Sequence, residues 1–268
     1  MEKILEVKNL TKKFGEFTAV NSISFAIGKG EIFGLVGPNG AGKTTTIKIL
    51  STLLPPTLGE AYIGGFNVTK NASQVRRLIG YVPQLLSADG NLTGYENLLV
   101  FAKLYDIPSG EREKLITDSL RFMGLTESAD KLVKNYSGGM IRRLEISQAV
   151  LHHPLILFLD EPTVGLDPIA RESVWNYVMI LSRRGTTILM TTHYMEEADA
   201  ICNHVAILNK GSIAAIGSPA ELKKSVGSKK ISLNEVYEFY VGRSMESEES
   251  KGVFKDVSRT RRTAERLG

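Results

Sequence analysis

The sequence predicts an α/β protein with a mostly parallel β-sheet. Two continuous apolar runs, "LILFLDEP" and "TTILMTTH", are typical of strands that are buried on both faces. Between them lies "PIARESVWNYVMILSRRG", whose apolar residues recur with helical spacing and which ends at Gly185. Earlier in the chain, the apolar run "EIFGLVG" leads through a glycine loop into another helix. Strands that alternate with helices in this order imply parallel strands joined by helical crossovers.

The remaining segments predict a second sheet and a helical insert. "ILEVKNLTKKF" and "SISFAI" alternate apolar and polar residues, so we expect an antiparallel side sheet beside the parallel one. Over about residues 86–153 the pattern becomes helical, with a capping-box pattern at Thr93 and Glu96. A helical insert is therefore expected to interrupt the α/β core.

The domain organisation follows from the same patterns. Residues 1–227 contain all the predicted strands and are expected to form one domain with the helical insert inside it. Residues 228–242 include "SLNEVYEFYVG", which predicts one capped helix. Residues 243–268 are polar and charged, so we expect a flexible tail there.

Composition excludes several classes of protein. The chain has 268 residues, of which 43% are hydrophobic, as expected for a globular protein with a real core. With 33 basic and 29 acidic residues the net charge is only +4, so no nucleic-acid partner is expected. The single cysteine, Cys202, excludes a disulfide framework and indicates a reducing compartment. No apolar run approaches the ~20 residues of a membrane span, so we expect any membrane contact to come through a partner.

A phosphate-binding loop follows the first buried strand. The segment "GPNGAGKT" fits G-x-x-x-x-G-K-[ST] and stands between a strand and a helix, as that pattern requires. Glycines let backbone N–H groups surround phosphate oxygens, Lys43 can reach the β- and γ-phosphates, and the Thr44 hydroxyl can bind Mg²⁺. The residues expected to bind nucleotide here are Gly37, Pro38, Asn39, Gly40, Ala41, Gly42, Lys43, Thr44 and Thr45.

Two adjacent acids end the strand "LILFLDEP". Asp160 is expected on the metal side of the phosphate loop, and Glu161 beside it can accept a proton from an attacking water. The nucleotide is expected to be ATP, because the nearest string to the guanine-reading N-K-x-D motif, "NKGS" at Asn209, lacks the aspartate. These features together predict a nucleotide-hydrolysis site.

A second anion site is predicted at "NYSGGMIRRLEIS". A serine followed by glycines just before an amphipathic run is typical of a helix N-terminus, where backbone N–H groups lack partners. Such an end attracts an anion. The residues alone leave open which anion binds Ser137, Gly138 and Gly139, and which chain supplies it.

The order of these motifs resembles that of the nucleotide-binding subunits of ABC transporters, over nearly all of Ile4 to Gly227. The resemblance implies a P-loop NTPase core for residues 1–227, with ATP and Mg²⁺ as cofactors. "GPNGAGKT" is similar to the Walker A loop, "LILFLDE" to Walker B and "YSGGM" to the family signature. Gln84 in "YVPQ", Asp167 in "GLDP" and His193 in "TTH" correspond to the glutamine loop, the D-loop and the switch histidine, and Phe14 in "KKFG" to the aromatic residue that stacks on adenine.

The resemblance implies a role for each of these groups. Glu161 would be the general base, His193 would contact the γ-phosphate, and the metal would lie among Thr44, Gln84 and Asp160. In this family the signature serine and glycines face the γ-phosphate held by another subunit. Two ATP molecules would therefore lie between two ATPase subunits, whether identical or different. A polytopic membrane permease would be the other partner, which implies a cytoplasmic protein that is peripheral on the inner face of the membrane.

The signature departs from the commoner one at its ends, with Tyr136 in place of leucine and Met140 in place of glutamine. "YSGGM" followed by "IRRLEISQAVL" is similar to the drug-exporter type of subunit, which favours export over import. The phosphate-facing positions are unchanged, so the resemblance implies an active ATPase.

The sequence disfavours two alternative classes of ATP-binding protein. A ribosome-acting or DNA-acting member would usually carry two cassettes or a long coiled coil, whereas this chain has one Walker A motif and a short insert. A regulatory module that binds ATP without cleaving it is disfavoured by the presence of Glu161 and His193.

Overall fold

The structure, a computed structural model, describes residues 2–227 and 231–242. Two β-sheets and a set of helices make up this part of the chain. The strands are β1 (Lys3–Phe14), β2 (Phe17–Gly28), β3 (Ile32–Val36), β4 (Leu58–Ile63), β5 (Phe66–Asn67), β6 (Ile79–Val82), β7 (Ile156–Asp160), β8 (Thr187–Thr192), β9 (His204–Asn209) and β10 (Ser212–Gly217). The helices are α1 (Lys43–Leu50), α2 (Ala72–Leu78), α3 (Gly94–Leu104), α4 (Ser109–Phe122), α5 (Gly138–Val150), α6 (Pro168–Arg183), α7 (Met195–Ile201) and α8 (Pro219–Val226).

The strand order confirms the predicted fold class. A six-stranded sheet has the order β10-β9-β3-β8-β7-β6, and its strands are parallel except for β10, which pairs antiparallel with β9. A four-stranded sheet, β2-β1-β4-β5, is antiparallel throughout. The long strands β1 and β2 correspond to the two segments whose alternation predicted the side sheet.

The strands of the parallel sheet are buried on both faces. Alternate residues of β7 point to opposite sides, so that Leu157 and Leu159 pack with the helices while Ile156 and Phe158 pack toward the antiparallel sheet. Every residue of β7 and of β8 is buried. Burial on two faces explains why these strands appear in the sequence as continuous apolar runs.

Helices α3, α4 and α5 lie between β6 and β7 in the chain, within the segment for which a helical insert is expected. The capping box at the start of α3 is confirmed: Thr93 Oγ1 accepts a hydrogen bond from Glu96 N at 3.1 Å, and Glu96 Oε2 accepts one from Thr93 N at 2.8 Å. The buried side chains of these helices share one apolar cluster with α6 and with one face of the parallel sheet. We propose that α3 to α5 form the helical subdomain, supported on the ATPase core by this shared cluster.

The chain ends, as far as the structure describes it, in a short helix. Residues 233–242 are helical, and Ser232 and Glu235 form the capping contacts at the start of this helix. Leu233 and Val236 are buried in the same apolar cluster as α3 to α6. The predicted tail over 243–268 lies outside the described residues. Within the described ranges, no helix is both long enough and apolar enough to cross a membrane.

Candidate functional site

The loop between β3 and α1 has the geometry expected of a phosphate-binding loop. Gly37 and Gly42 both have positive φ, +157° and +103°, and a Cβ on either would lie 2.3 or 2.4 Å from a backbone carbonyl oxygen, of Leu208 or Ala19 respectively. Only glycine fits at these two positions. The loop leads directly into α1, which begins at Lys43, so the positive end of that helix faces the loop.

Lys43 lies inside this loop and is buried, with 4% exposure. Its ammonium group donates to the carbonyl oxygens of Gly37 at 2.8 Å and Pro38 at 3.1 Å. It also lies 3.1 Å from Glu161 Oε1. A buried ammonium normally has opposite charge or acceptors around it, and here both are present.

Asp160, at the end of β7, faces the start of α1. Thr44 Oγ1 donates to Asp160 Oδ1 at 3.1 Å, and Thr191 Oγ1, from the intervening strand β8, donates to the same oxygen at 2.7 Å. Burial raises the pKa of Asp160 above its ordinary value, while the hydrogen bonds from Thr191 and Thr44 oppose that change. The hydroxyl and carboxylate oxygens of Thr44 and Asp160 are therefore next to each other.

Glu161 has a backbone conformation that is unusual for a residue other than glycine, with φ of +49°. Its N–H donates to Thr191 Oγ1 at 2.9 Å, which helps to hold this left-handed turn. Its carboxylate lies between two nitrogens, with Oε1 near Lys43 and Oε2 3.0 Å from His193 Nδ1. Strained backbone of this kind is concentrated at functional sites in proteins.

A groove of about 370 Å³ lies over the phosphate-binding loop. Its lining includes Gln84, whose side chain comes from the segment after β6, on the far side of β7. The predicted site residues that line it are Asn39, Gly40, Gly42, Lys43, Thr44, Thr45, Gln84 and Glu161. The structure thus brings the Walker A loop, the glutamine loop and Glu161 to one groove.

The aromatic residue of the groove is Phe17 rather than Phe14. Phe17, at the start of β2, is 63% exposed and lines the groove. Phe14, the residue predicted to stack on adenine, is 49% exposed and pairs with Phe17 across the β1–β2 hairpin, with Lys12 Nζ 5.2 Å from its ring centroid. Phe14 is therefore next to the groove without being part of its lining.

The signature residues lie beside the D-loop and are not among the residues that line the groove. Ser137 caps α5, its Oγ accepting from Met140 N at 3.3 Å, while the N–H groups of Gly138 and Gly139 make no hydrogen bond within the described part of the chain. Asp167 caps the neighbouring helix α6 by accepting from Ala170 N at 2.8 Å. The helix N-terminus expected from the sequence is thus present, with two free N–H groups.

The two signature glycines differ in their surroundings. A Cβ on Gly139 would lie 2.8 Å from Ala170 Cβ, so Gly139 is needed for the packing of α5 against α6. A Cβ on Gly138 would lie 3.2 Å from Leu166 Cδ2, which can move. Gly138 is the exposed residue of the pair.

Some residues of the site had no signal in the sequence. Thr191 bridges Asp160 and Glu161, yet it lies 30 residues further along the chain than Glu161 and belongs to an ordinary apolar strand. Phe17 is exposed, as are Phe14 and Phe66, and only the fold shows that Phe17 lines the groove. Glu197 is fully buried on α7 and accepts hydrogen bonds from Thr163 and Trp175, at 2.9 and 2.7 Å, which links α7 to the segment after Glu161.

The fold and the site define a class of protein. Its members have a P-loop NTPase core, a glutamine loop, and a separate helix N-terminus formed by a serine and two glycines. Residues 20–164 match the ABC transporter family. The chain is 41% identical over 224 residues to the linearmycin resistance ATP-binding protein LnrL of Bacillus subtilis, an alignment that covers 84% of this chain and 72% of that protein. It is also 41% identical over 226 residues to the daunorubicin/doxorubicin resistance ATP-binding protein DrrA of Streptomyces peucetius, covering 84% of this chain and 68% of that one.

A solved structure of the ATP-binding subunit of an ABC transporter superposes with a TM-score of 0.80 at 30% identity, covering 89% of this chain and 99% of that chain. The chain therefore belongs to the ABC transporter family. It is an ATP-binding subunit of the drug-exporter type, that is, an ATPase in which ATP hydrolysis is coupled to transport.

Proposed function

We propose that this subunit drives export through a separate polytopic membrane permease, using Mg·ATP that is bound at the Walker A loop and cleaved with Glu161 as the base. One observation carries the catalytic part: the Glu161 carboxylate lies within reach of both Lys43 and His193, at the edge of the groove over the phosphate-binding loop. Export is favoured because two relatives are named for resistance to drugs and others for Nod factor export.

Thr44, Asp160 and Gln84 are the residues that we propose for Mg²⁺. Thr44 and Asp160 present neighbouring oxygens, and Gln84 lines the same groove. Among the residues that the structure describes, no group of three or more His, Cys, Asp or Glu could hold a metal ion by itself. That fits Mg²⁺, which usually takes one or two protein oxygens and completes its shell with water and substrate phosphates. When bound, Mg²⁺ would neutralise charge on the phosphates.

The contacts of Lys43 suggest how nucleotide binding prepares the base. Phosphate oxygens that enter the loop would compete with Glu161 for the Lys43 ammonium, because a charge-assisted bond to phosphate is strong. Release from Lys43 would leave the Glu161 carboxylate free to accept a proton from water. His193 is 30% exposed, and its Nδ1 is within hydrogen-bond distance of Glu161 Oε2. It would keep the carboxylate oriented and contact the γ-phosphate.

A second ATPase subunit would complete each site. The free N–H groups of Gly138 and Gly139 and the Ser137 hydroxyl are anion-binding groups that lie outside the lining of this chain's own groove. We therefore propose a head-to-tail dimer in which they, with Asp167 beside them, contact the nucleotide of the partner. This arrangement accommodates two identical subunits as well as two different gene products.

The permease contact is proposed at the glutamine loop. Leu85 and Leu86, which follow Gln84 in this loop, are 81% and 51% exposed, and large exposed apolar side chains beside a catalytic residue are suited to a protein partner. Such a contact would place the subunit in the cytoplasm, peripheral on the inner face of the membrane.

The coupling is tested by measuring ATP hydrolysis with Mg²⁺ and with EDTA, with and without membranes that contain the permease. We expect Mg²⁺-dependent turnover that rises when the permease is added. The matched control is the Asp160→Asn protein, which should lose the Mg²⁺-dependent activity in both preparations. The same turnover in the presence and absence of permease would contradict coupling to transport.

Replacing Lys43 by Ala should weaken ATP binding by about 10–100-fold, because a charge-assisted bond to the phosphates is lost. Calorimetric titration with ATP would measure the Kd. Lys48→Ala is the matched control, since Lys48 is on the same helix but exposed. Equal affinities of the two variants would exclude Lys43 from phosphate binding.

Replacing Phe14 by Ala should weaken ATP binding by about 5–150-fold if the ring stacks on adenine, because base–aromatic stacking contributes about 1–3 kcal/mol. Affinity for tripolyphosphate, which has no base, should stay unchanged. Phe17→Ala is measured alongside, because Phe17 lines the groove. Normal ATP affinity in Phe14→Ala together with a loss in Phe17→Ala would assign adenine stacking to Phe17 instead.

A further inference from the structure

Arg142 and Glu145 form a buried ion pair on α5 that the proposed mechanism does not use. Their side chains are 2% and 1% exposed, and Arg142 Nη1 lies 3.0 Å from Glu145 Oε2. Burial of two charges costs free energy unless further hydrogen bonds satisfy them. The hydrogen-bond partners of the pair belong to one segment, the glutamine loop, which comprises residues 83–88 and contains Gln84.

Arg142 donates to the first part of this loop. Its Nη1 donates to the carbonyl oxygen of Pro83 at 2.7 Å, and its Nη2 donates to the carbonyl oxygen of Gln84 at 2.8 Å. The guanidinium fork thus holds two successive peptide groups, and one of them belongs to the residue proposed to contact Mg²⁺. A planar fork with two bonds fixes orientation as well as position.

Glu145 accepts from the second part of the same loop. Its Oε1 accepts hydrogen bonds from the backbone N–H of Ser87 and, at 3.3 Å, from that of Ala88, and a further one from Ser87 Oγ at 3.1 Å. The ion pair therefore holds both ends of the turn that includes the exposed Leu85.

The same helix carries the signature. Arg142 follows the helix cap Ser137 by five positions, about 7.5 Å along the axis. Gly139 is packed against Ala170 of α6, so this helix end has little freedom to move independently of its surroundings. A displacement of α5 at its phosphate-facing end would be transmitted through the ion pair to the glutamine loop.

We propose that Arg142 and Glu145 are positioning residues that hold Gln84 over this chain's own nucleotide and tie it to the helix end that faces the nucleotide of the second subunit. The two nucleotide sites of a dimer are thereby linked within each chain. This proposal rests on the proposed function, because it assigns the ion pair a role in that ATPase cycle.

The kinetic test uses a double replacement, Arg142→Met/Glu145→Leu. Replacing both members of a buried pair by apolar residues leaves no unpaired buried charge, so the protein is expected to fold. We expect kcat to fall by up to about 10²-fold through misplacement of Gln84, with little change in the KM for ATP. Arg143→Ala is the matched control: Arg143 lies on the same helix but donates to Ser173 Oγ on α6, at 2.9 Å. Equal kcat values in the two variants would overturn the proposal.

A mutant cycle distinguishes positioning of Gln84 from general damage. In a Gln84→Ala background the double replacement should have little further effect on kcat, because the group that it positions is already absent. Fully additive losses would mean that the ion pair acts elsewhere. Arg142→Lys, which keeps the charge and loses the two-bond fork, should give a smaller loss in the same direction, and it replaces the double variant in both experiments if that protein does not fold.

A spectroscopic measurement tests the restraint without ATP hydrolysis. Leu85→Cys, at a position 81% exposed, can carry a nitroxide, since the only native cysteine, Cys202, is buried. We expect a more mobile spectrum in the Arg142→Met/Glu145→Leu background than in the Arg143→Ala background. Identical spectra would overturn the proposal. A loosened loop in a chain whose parent does not hydrolyse ATP would count against the proposed function alone.

Discussion

Replacing Glu161 by Gln should lower ATP turnover by about 10²–10⁴-fold, the usual loss when a general base is removed. The substitution keeps the size of the side chain, and its amide oxygen can still accept a hydrogen bond from Lys43 or His193. The left-handed turn at position 161 is held by hydrogen bonds from the backbone N–H of this residue to Thr191, and the substitution leaves these in place. ATP binding, which depends on the loop and Lys43, should therefore persist.

Two measurements on the same protein check this expectation: steady-state phosphate release and calorimetric ATP binding. Glu196→Gln is the matched control, because Glu196 is an exposed acid in the first turn of α7, a few residues from His193. The control should hydrolyse ATP at the parent rate. If Glu161→Gln also turned over near the parent rate, Glu161 would not be the base.

The Glu161→Gln protein should become a dimer when Mg·ATP is added, and it should be mainly monomeric without nucleotide. Uncleaved ATP would contact the Walker A loop of one chain and the signature of the other, and a ligand that binds only the associated state stabilises that state. Light scattering should show a shift from 29.4 kDa to twice that mass.

Adding Gly138→Glu should prevent this dimer while ATP binding to the single chain is retained. The new side chain would place a negative charge where a phosphate is expected, and among the described residues the close neighbour of its Cβ is the flexible end of Leu166 at 3.2 Å. Gly110→Glu in the same background is the matched control, because in the part of the chain that the structure describes a Cβ on Gly110 meets no atom within 4 Å, and the charge added is the same. Gly139 is unsuitable, since its replacement would disturb the packing of α5 on α6.

A dimer of equal stability in the Gly138→Glu and Gly110→Glu backgrounds would contradict the assignment of the signature to a subunit boundary. It would leave the assignment of Glu161 untouched, because phosphate release and dimer formation are measured separately.

The features that the sequence determined by itself are those encoded by neighbouring residues. The phosphate-binding loop needs glycines at fixed spacing between a strand and a helix, and all of these lie between Ile32 and Leu50. The capping box at Thr93 and the serine cap at Ser137 are equally local. The continuous apolar runs of β7 and β8 predicted a parallel sheet because burial on both faces removes the alternation of polar residues.

Only the tertiary structure decided which distant residues meet. Strand order places β8 between β3 and β7, and for this reason Thr191 bonds both Asp160 and Glu161 although nothing around it in the sequence marks it. The choice of Phe17 over Phe14 for the groove lining depends on how the β1–β2 hairpin is placed against the loop. Arg142 looks like any charged residue of an amphipathic helix until the fold brings the glutamine loop over it. Contacts of this kind depend on strand order and helix packing, which bring together residues that are far apart in the chain and carry no local pattern.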